Sequence, residues 1–160
     1  MMTALYLILV TLVFLFLAIQ DWKTTYVSFP GLILLTLLTA LTVFYPPFDT
    51  PAIEHALGAL VASTSGFITQ KIMNKIIGKP AFGEADIWML TAGGFLIGLQ
   101  WVPFMFGLTS LLGIIVYPLL KRQDVEGKSG PILALLPILA LVILLIAWAR
   151  YFNILPQTLL

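Results

Sequence analysis

The chain has 160 residues, of which 61% are hydrophobic and only 9% are charged. A soluble domain carries about 25% charged residues, so the composition predicts an integral membrane protein made of one domain, residues 1–160. The absence of cysteine excludes disulfides and thiolate chemistry, a single histidine argues against a His-rich metal site, and a net charge of +1 without a basic run gives no indication of nucleic-acid binding.

Six apolar segments are predicted to cross the bilayer, since a spanning helix needs about 20 mostly apolar residues. No Lys or Arg precedes the first segment, which favours a retained span over a signal peptide. The uncharged run 87–120 would be about 51 Å long as one helix, too long for a hydrocarbon core of about 30 Å. It is therefore predicted to be two spans with a turn at 100–103. The predicted spans are 2–19, 26–45, 52–73, 87–99, 103–120 and 132–148.

The basic residues predict how these spans are oriented. Six spans place both termini on one side of the membrane. One set of connecting loops holds seven of the eight basic residues, namely Lys23, Lys71, Lys75, Lys79, Lys121, Arg122 and Lys128. Only Arg150 falls on the other side. By the positive-inside rule the first face is cytoplasmic, which predicts an all-α plasma (inner) membrane protein with both termini outside.

Small residues recur at four-residue spacing in the third and fourth spans. Gly58, Ala62 and Gly66 share one face of the third span, and Gly94 and Gly98 share one face of the fourth. Small residues let membrane helices approach closely. The pattern predicts that these two spans pack together.

Two aspartates stand at span ends on the predicted cytoplasmic side. Asp21 follows the first span and Asp86 precedes the fourth. Ionisable groups at this depth are costly and usually functional. Two nearby carboxyls share a proton, so one can act as general base while the other stabilises a developing oxyanion. The pair predicts amide hydrolysis that needs no serine, cysteine or metal.

Simpler roles for the same two residues stay open on spacing alone. Asp86 is well placed to cap the fourth helix, because aspartate favours helix N-termini. Asp21 is equally consistent with an interfacial residue paired with Lys23.

The other acidic residues are predicted to lie outside the pair. Glu84 is next to Asp86 but faces water, and Asp124 and Glu126 share a solvated loop with basic residues. On the opposite face lie Asp49, Glu54 and His55. We interpret His55 as an interfacial residue.

Three segments resemble a known family. Residues 81–90 (AFGEADIWML), which begin an apolar helix containing further glycines, resemble the Gly-x-Gly-Asp segment of the prepilin peptidase (type IV leader peptidase) family. Asp21-Trp22-Lys23 is similar to that family's first aspartate, and Gly130-Pro131 resembles the opening of its last helix. The order and spacing of these short motifs match across nearly the whole chain.

The resemblance implies a membrane aspartic peptidase that cleaves the short basic leader of prepilins or pseudopilins just after a glycine, at the cytoplasmic membrane face. It implies Asp21 and Asp86 as the catalytic pair, with no metal or organic cofactor. It also implies that four further residues support the two aspartate motifs, namely Lys23, Gly83, Glu84 and Ala85.

The sequence also departs from the family pattern. Ala85 stands where the family usually has glycine. In the turn that follows the first aspartate, this sequence retains only the proline of the family pattern, as Pro30. The cysteine-bearing cytoplasmic domain of the bifunctional enzymes has no counterpart, so we expect no N-methyltransferase activity.

Two other functions compete with the peptidase hypothesis. The first is a non-catalytic transporter or assembly subunit whose acidic residues bind an ion or a partner. The second is the lipoprotein signal peptidase, another aspartic membrane enzyme of similar length. That enzyme has four spans and an outer-face site, so six spans with cytoplasmic aspartates argue against it.

Overall fold

The structure, a computed structural model, describes residues 2–24, 26–77, 83–120 (117–120 as backbone alone) and 135–156. Within these ranges it is all-helical. Two 3₁₀ turns, Leu41–Val43 and Leu99–Trp101, follow α2 and join α4 to α5. The six α-helices are α1 (Met2–Thr24), α2 (Phe29–Ala40), α3 (Ala52–Ile77), α4 (Glu84–Ile97), α5 (Val102–Leu120) and α6 (Leu135–Tyr151).

Each predicted span overlaps one of these helices, so the all-α prediction is confirmed. Two helical segments, Met2–Thr24 and Leu99–Val116, are both long and apolar enough to cross a membrane. Phe29–Val43 and Leu135–Tyr151 are apolar but shorter. That all six helices cross the bilayer stays a prediction.

Glycine and proline mark the helix boundaries. The turn predicted at 100–103 begins earlier, at Gly98, whose positive φ of 79° ends α4 and is readily adopted only by a residue without a β-carbon. Pro103 and Pro30 each fall in the first turn of a helix, α5 and α2, where the missing N–H would have no intrahelical partner.

The helix α4 lies at the centre of the described fold and packs against α2, α3 and α6. Its Met89, Ala92, Leu96 and Ile97 are fully buried. Beyond its first turn, Thr91 is its one polar residue, so apolar residues lie on every face, as expected of a helix surrounded by protein.

The predicted close packing of α3 on α4 is confirmed. A β-carbon built on Gly58 would lie 2.5 Å from the carbonyl oxygen of Gly94, and one built on Gly94 would overlap the backbone of Gly58. Further along, a β-carbon on Gly66 would lie 2.8 Å from Leu90. The glycines therefore set the separation of these two backbones.

The helices bring two sets of polar residues to opposite ends of α4. We call the end that holds Asp21 and Asp86 the aspartate end, and the end that holds His55 and Arg150 the arginine end. At the aspartate end the ring of Phe29 meets Trp88 edge-on at 5.6 Å between centroids, which ties the start of α2 to α4.

Candidate active site

Asp86 lies in the first turn of α4, three residues after the N-cap Gly83. Its Oδ2 accepts a hydrogen bond of 2.9 Å from the backbone N–H of Gly83. Its Oδ1 is buried and accepts no hydrogen bond from a described residue. The side chain as a whole is 6% exposed. One carboxyl oxygen thus stabilises the helix start, and the other takes no part in the cap.

The structure therefore confirms that Asp86 caps the start of α4. The bond to Gly83 satisfies one of the N–H groups that a helix start leaves without an intrahelical partner. A carboxylate there also interacts favourably with the helix dipole. Capping needs only one oxygen, however, so it does not account for the burial of the other.

Asp21 reaches the same end of the fold from the last turn of α1. The buried residues Phe14, Leu17, Ala18 and Asp21 share one face of that helix, as their spacing of three and four predicts. Asp21 is 9% exposed, while Lys23 points outward and is exposed. Asp21 therefore belongs to the inward face, and its carboxyl is enclosed by protein.

The structure brings these two aspartates together. The carboxylate of Asp21 lies close enough to Asp86 to act on it electrostatically. The connection between α1 and α2 is held by Gln20, whose Oε1 accepts a hydrogen bond of 3.2 Å from the N–H of Ser28. Two carboxyls in one poorly solvated place each disfavour the ionised form of the other.

The motif residues around Asp86 have different environments. Glu84 is exposed, as the sequence predicted. Gly83 has an extended backbone, with φ −83° and ψ 160°, which other residues also adopt. Ala85 is half-buried inside α4, and the only non-glycine residue of the described chain with positive φ is Asn153. Ala85 therefore does not adopt the left-handed conformation that would favour glycine over alanine.

The described part of the chain holds no group of three His, Asp or Glu residues placed to bind a metal ion. That the chemistry uses neither metal nor organic cofactor stays a prediction.

His55 was predicted to be an interfacial residue, and its depth in the membrane stays a prediction. Its side chain is fully buried, with Nδ1 2.7 Å from the carbonyl oxygen of Phe95 and Nε2 2.9 Å from the hydroxyl of Thr50. A carbonyl only accepts, so Nδ1 carries a proton. No local pattern indicates these contacts, because Phe95 lies forty positions away.

Charge counting assigned Arg150 no role beyond its place on the side opposite the other basic residues. The structure buries it completely, and its Nη1 donates a 2.6 Å hydrogen bond to the carbonyl oxygen of Ile97. Its guanidinium lies 4.2 Å from the ring centroid of Phe48. One signal could have revealed it: an ionisable residue in the last turn of an apolar helix is costly unless it faces protein.

A model of the type IV leader peptidase family matches residues 8–117, more than two-thirds of the chain. The chain belongs to the type IV leader peptidase family. The match includes both Asp21 and Asp86. The Gly130-Pro131 motif lies beyond the match and outside the described residues.

Membership of the type IV leader peptidase family makes this chain a leader-peptidase-like protease in general terms. Neither the comparison with curated proteins nor that with solved structures gave a match.

Proposed function

We propose that this protein is a membrane-embedded aspartic endopeptidase that removes the basic leader of type IV prepilin-like precursors. Asp21 and Asp86 are the proposed catalytic pair. The observation that carries the proposal is the burial of two mutually interacting carboxyls at one end of α4, in a chain of the type IV leader peptidase family.

The reaction follows from a carboxyl pair that holds one proton. The ionised carboxylate takes a proton from water, and the water oxygen attacks the scissile carbonyl carbon. The protonated carboxyl donates its hydrogen bond to the carbonyl oxygen and stabilises the negative charge that develops there. When the tetrahedral intermediate collapses, the C–N bond breaks and the departing nitrogen receives a proton. Because a coupled pair titrates as a unit, neither role is assigned to one aspartate.

The proposal is tested by incubating purified protein with a prepilin-type precursor and following loss of the leader. Asp21→Asn and Asp86→Asn each keep the size of the side chain but cannot share the proton. Each should lower the cleavage rate by at least about a hundredfold, the scale of general acid–base catalysis. Asp49→Asn, at an exposed position outside the aspartate end, is the control and should cleave normally.

Cleavage at the parental rate by either Asp21→Asn or Asp86→Asn would refute the assignment. If the parent protein itself never cuts the precursor, the alternative of a non-catalytic transporter or assembly subunit is favoured.

We also propose that six helices cross the inner membrane, that both termini lie outside and that the aspartate end faces the cytoplasm. Exposed Lys23, Lys71 and Lys75 near that end support this orientation. The chain has no cysteine, so single cysteines can report it. A membrane-impermeant maleimide should label Ile154→Cys in intact cells, and Lys75→Cys only after the membrane is opened. The reverse pattern would overturn the orientation.

A further inference from the structure

The C-terminal end of α4 is held by side chains from three other elements of the described fold. The last four carbonyls of a helix have no intrahelical partner. In α4, the carbonyl of Phe95 accepts a hydrogen bond from His55 Nδ1 at 2.7 Å. The Thr42 hydroxyl lies 2.8 Å from the same carbonyl and shares its single proton between it and the carbonyl of Thr39. The carbonyl of Ile97 accepts a hydrogen bond from Arg150 Nη1 at 2.6 Å. These donors come from the 3₁₀ turn after α2, from α3 and from α6.

The two carbonyls belong to residues on opposite sides of α4. Successive residues of an α-helix are rotated by about 100°, so Phe95 and Ile97 lie about 200° apart around the axis. His55 and Arg150 therefore restrain both the lateral position and the rotation of this helix end. All three donors, Thr42, His55 and Arg150, are buried, so their bonds are protected from competing water.

Arg150 is in turn held by its own surroundings. Its guanidinium faces the ring of Phe48 and lies within electrostatic range of Glu54. Glu54 accepts a 3.3 Å hydrogen bond from Gln100, in the turn that follows α4. The arginine end is thus a connected polar network whose members are otherwise far apart in the sequence.

The contact between Gly58 and Gly94 makes this network relevant to Asp86. The two backbones touch there, so a tilt of α4 that keeps this contact turns about Gly94. Ile97 lies about 4.5 Å along the axis on one side of the pivot, and Asp86 about 12 Å on the other. A tilt of α4 about this pivot moves Asp86 about 2.7 times as far as it moves Ile97.

We propose that Thr42, His55 and Arg150 form a clamp that sets the orientation of α4, and that Arg150 and His55 are positioning residues for the reaction at Asp86. They contact no reacting atom and act through α4. The catalytic part of this inference rests on the proposed peptidase function, whereas the geometric part can be tested without it.

The geometric test uses spin labels at the aspartate end. Both Lys23 and Glu84 are exposed, so Lys23→Cys and Glu84→Cys can be labelled together in a chain with no other cysteine. Arg150→Met removes the donor to Ile97 and keeps an unbranched, flexible side chain, whereas Arg150→Lys keeps a cationic donor. Arg150→Met should shift or broaden the distance distribution between the labels, and Arg150→Lys should restore it.

A second pair of variants provides an independent test if Arg150→Met does not fold. His55→Leu removes the donor to Phe95, while the amide nitrogen of His55→Asn can take the place of Nδ1. The same contrast is expected, with an altered distance in the leucine variant and a parental distance in the asparagine variant. Unchanged distances in the donor-removing variants that fold would overturn the clamp, whatever the activity.

The catalytic test is made on the unlabelled protein with a prepilin-type precursor. A displacement of about 1 Å at a reacting group can cost a hundredfold in rate. Arg150→Met and His55→Leu should lower kcat by about tenfold or more with little change in KM, and Arg150→Lys and His55→Asn should recover most of it. A changed distance with unchanged kcat would overturn the positioning role but leave the clamp. A parent protein without activity would refute the peptidase function and leave the spin-label result to decide the clamp.

Discussion

Gly58 on α3 and Gly94 on α4 lie backbone to backbone, and a β-carbon on either would overlap the other residue. In a lipid bilayer, packing an apolar side chain against protein brings little hydrophobic stabilisation, because the lipid is equally apolar. Close contact between backbones is therefore a main source of helix association. This contact joins α3 to α4, the helix that carries Asp86. It therefore governs both the stability of the fold and the alignment of the candidate site.

Gly94→Ala should destabilise the protein, because its new methyl group meets the backbone of α3 and not a side chain that could rotate away. Overpacking of this kind costs about 1–3 kcal/mol, which thermal unfolding in detergent would measure. Gly107→Ala is the matched control, since a β-carbon there meets nothing within 4 Å. That change should be neutral or stabilising by up to about 1 kcal/mol. Equal unfolding temperatures for the two variants would contradict the close-contact interpretation.

The two roles of Asp86 can be separated by comparing Asp86→Asn with Asp86→Ala. Asparagine keeps an oxygen that can accept the hydrogen bond from Gly83, whereas alanine loses it. Loss of such a cap costs about 1 kcal/mol, so only the alanine variant should unfold at a lower temperature. Both variants should lack peptidase activity. An asparagine variant that is inactive only because it unfolds would argue that Asp86 is structural.

Ala85→Gly restores the residue usual in the family, and we expect it to bring no gain in kcat. Ala85 already has helical geometry within α4, so no left-handed conformation is required of it. Glycine inside a helix costs about 0.5–1 kcal/mol relative to alanine, and the variant should therefore be slightly less stable. Ala56→Gly, half-buried near the start of α3, reports the same cost away from the site. A clear rise in kcat for Ala85→Gly alone would show that the motif needs glycine here.

The helices and the candidate aspartates could be predicted because each depends on local pattern. Apolar segments in a membrane protein must satisfy their own backbone groups, so hydropathy predicts helices directly. The inward direction of Asp21 follows from its spacing with Phe14, Leu17 and Ala18. Gly58 and Gly94 could be paired for the same reason, since small residues at regular spacing mark one face of each helix.

The arginine end could not be predicted because its contacts join distant parts of the chain. Arg150 meets a carbonyl 53 positions earlier, and Thr42 meets one 53 positions later. Backbone carbonyls are the same at every position, so no residue pattern marks the ones that will need a donor. Charge counting assigns Arg150 only to a side of the membrane, and the burial that gives it a role depends on α6 packing beside α4.

The length of α4 has a consequence for the depth of the site. Its 14 residues extend about 21 Å, whereas the hydrocarbon core is about 30 Å thick. On the proposed topology, α4 is thus shorter than the core, and neighbouring helices surround it. Asp86, in its first turn, would then lie below the headgroup level, inside the protein. The scissile bond of a substrate would have to reach that depth to meet it.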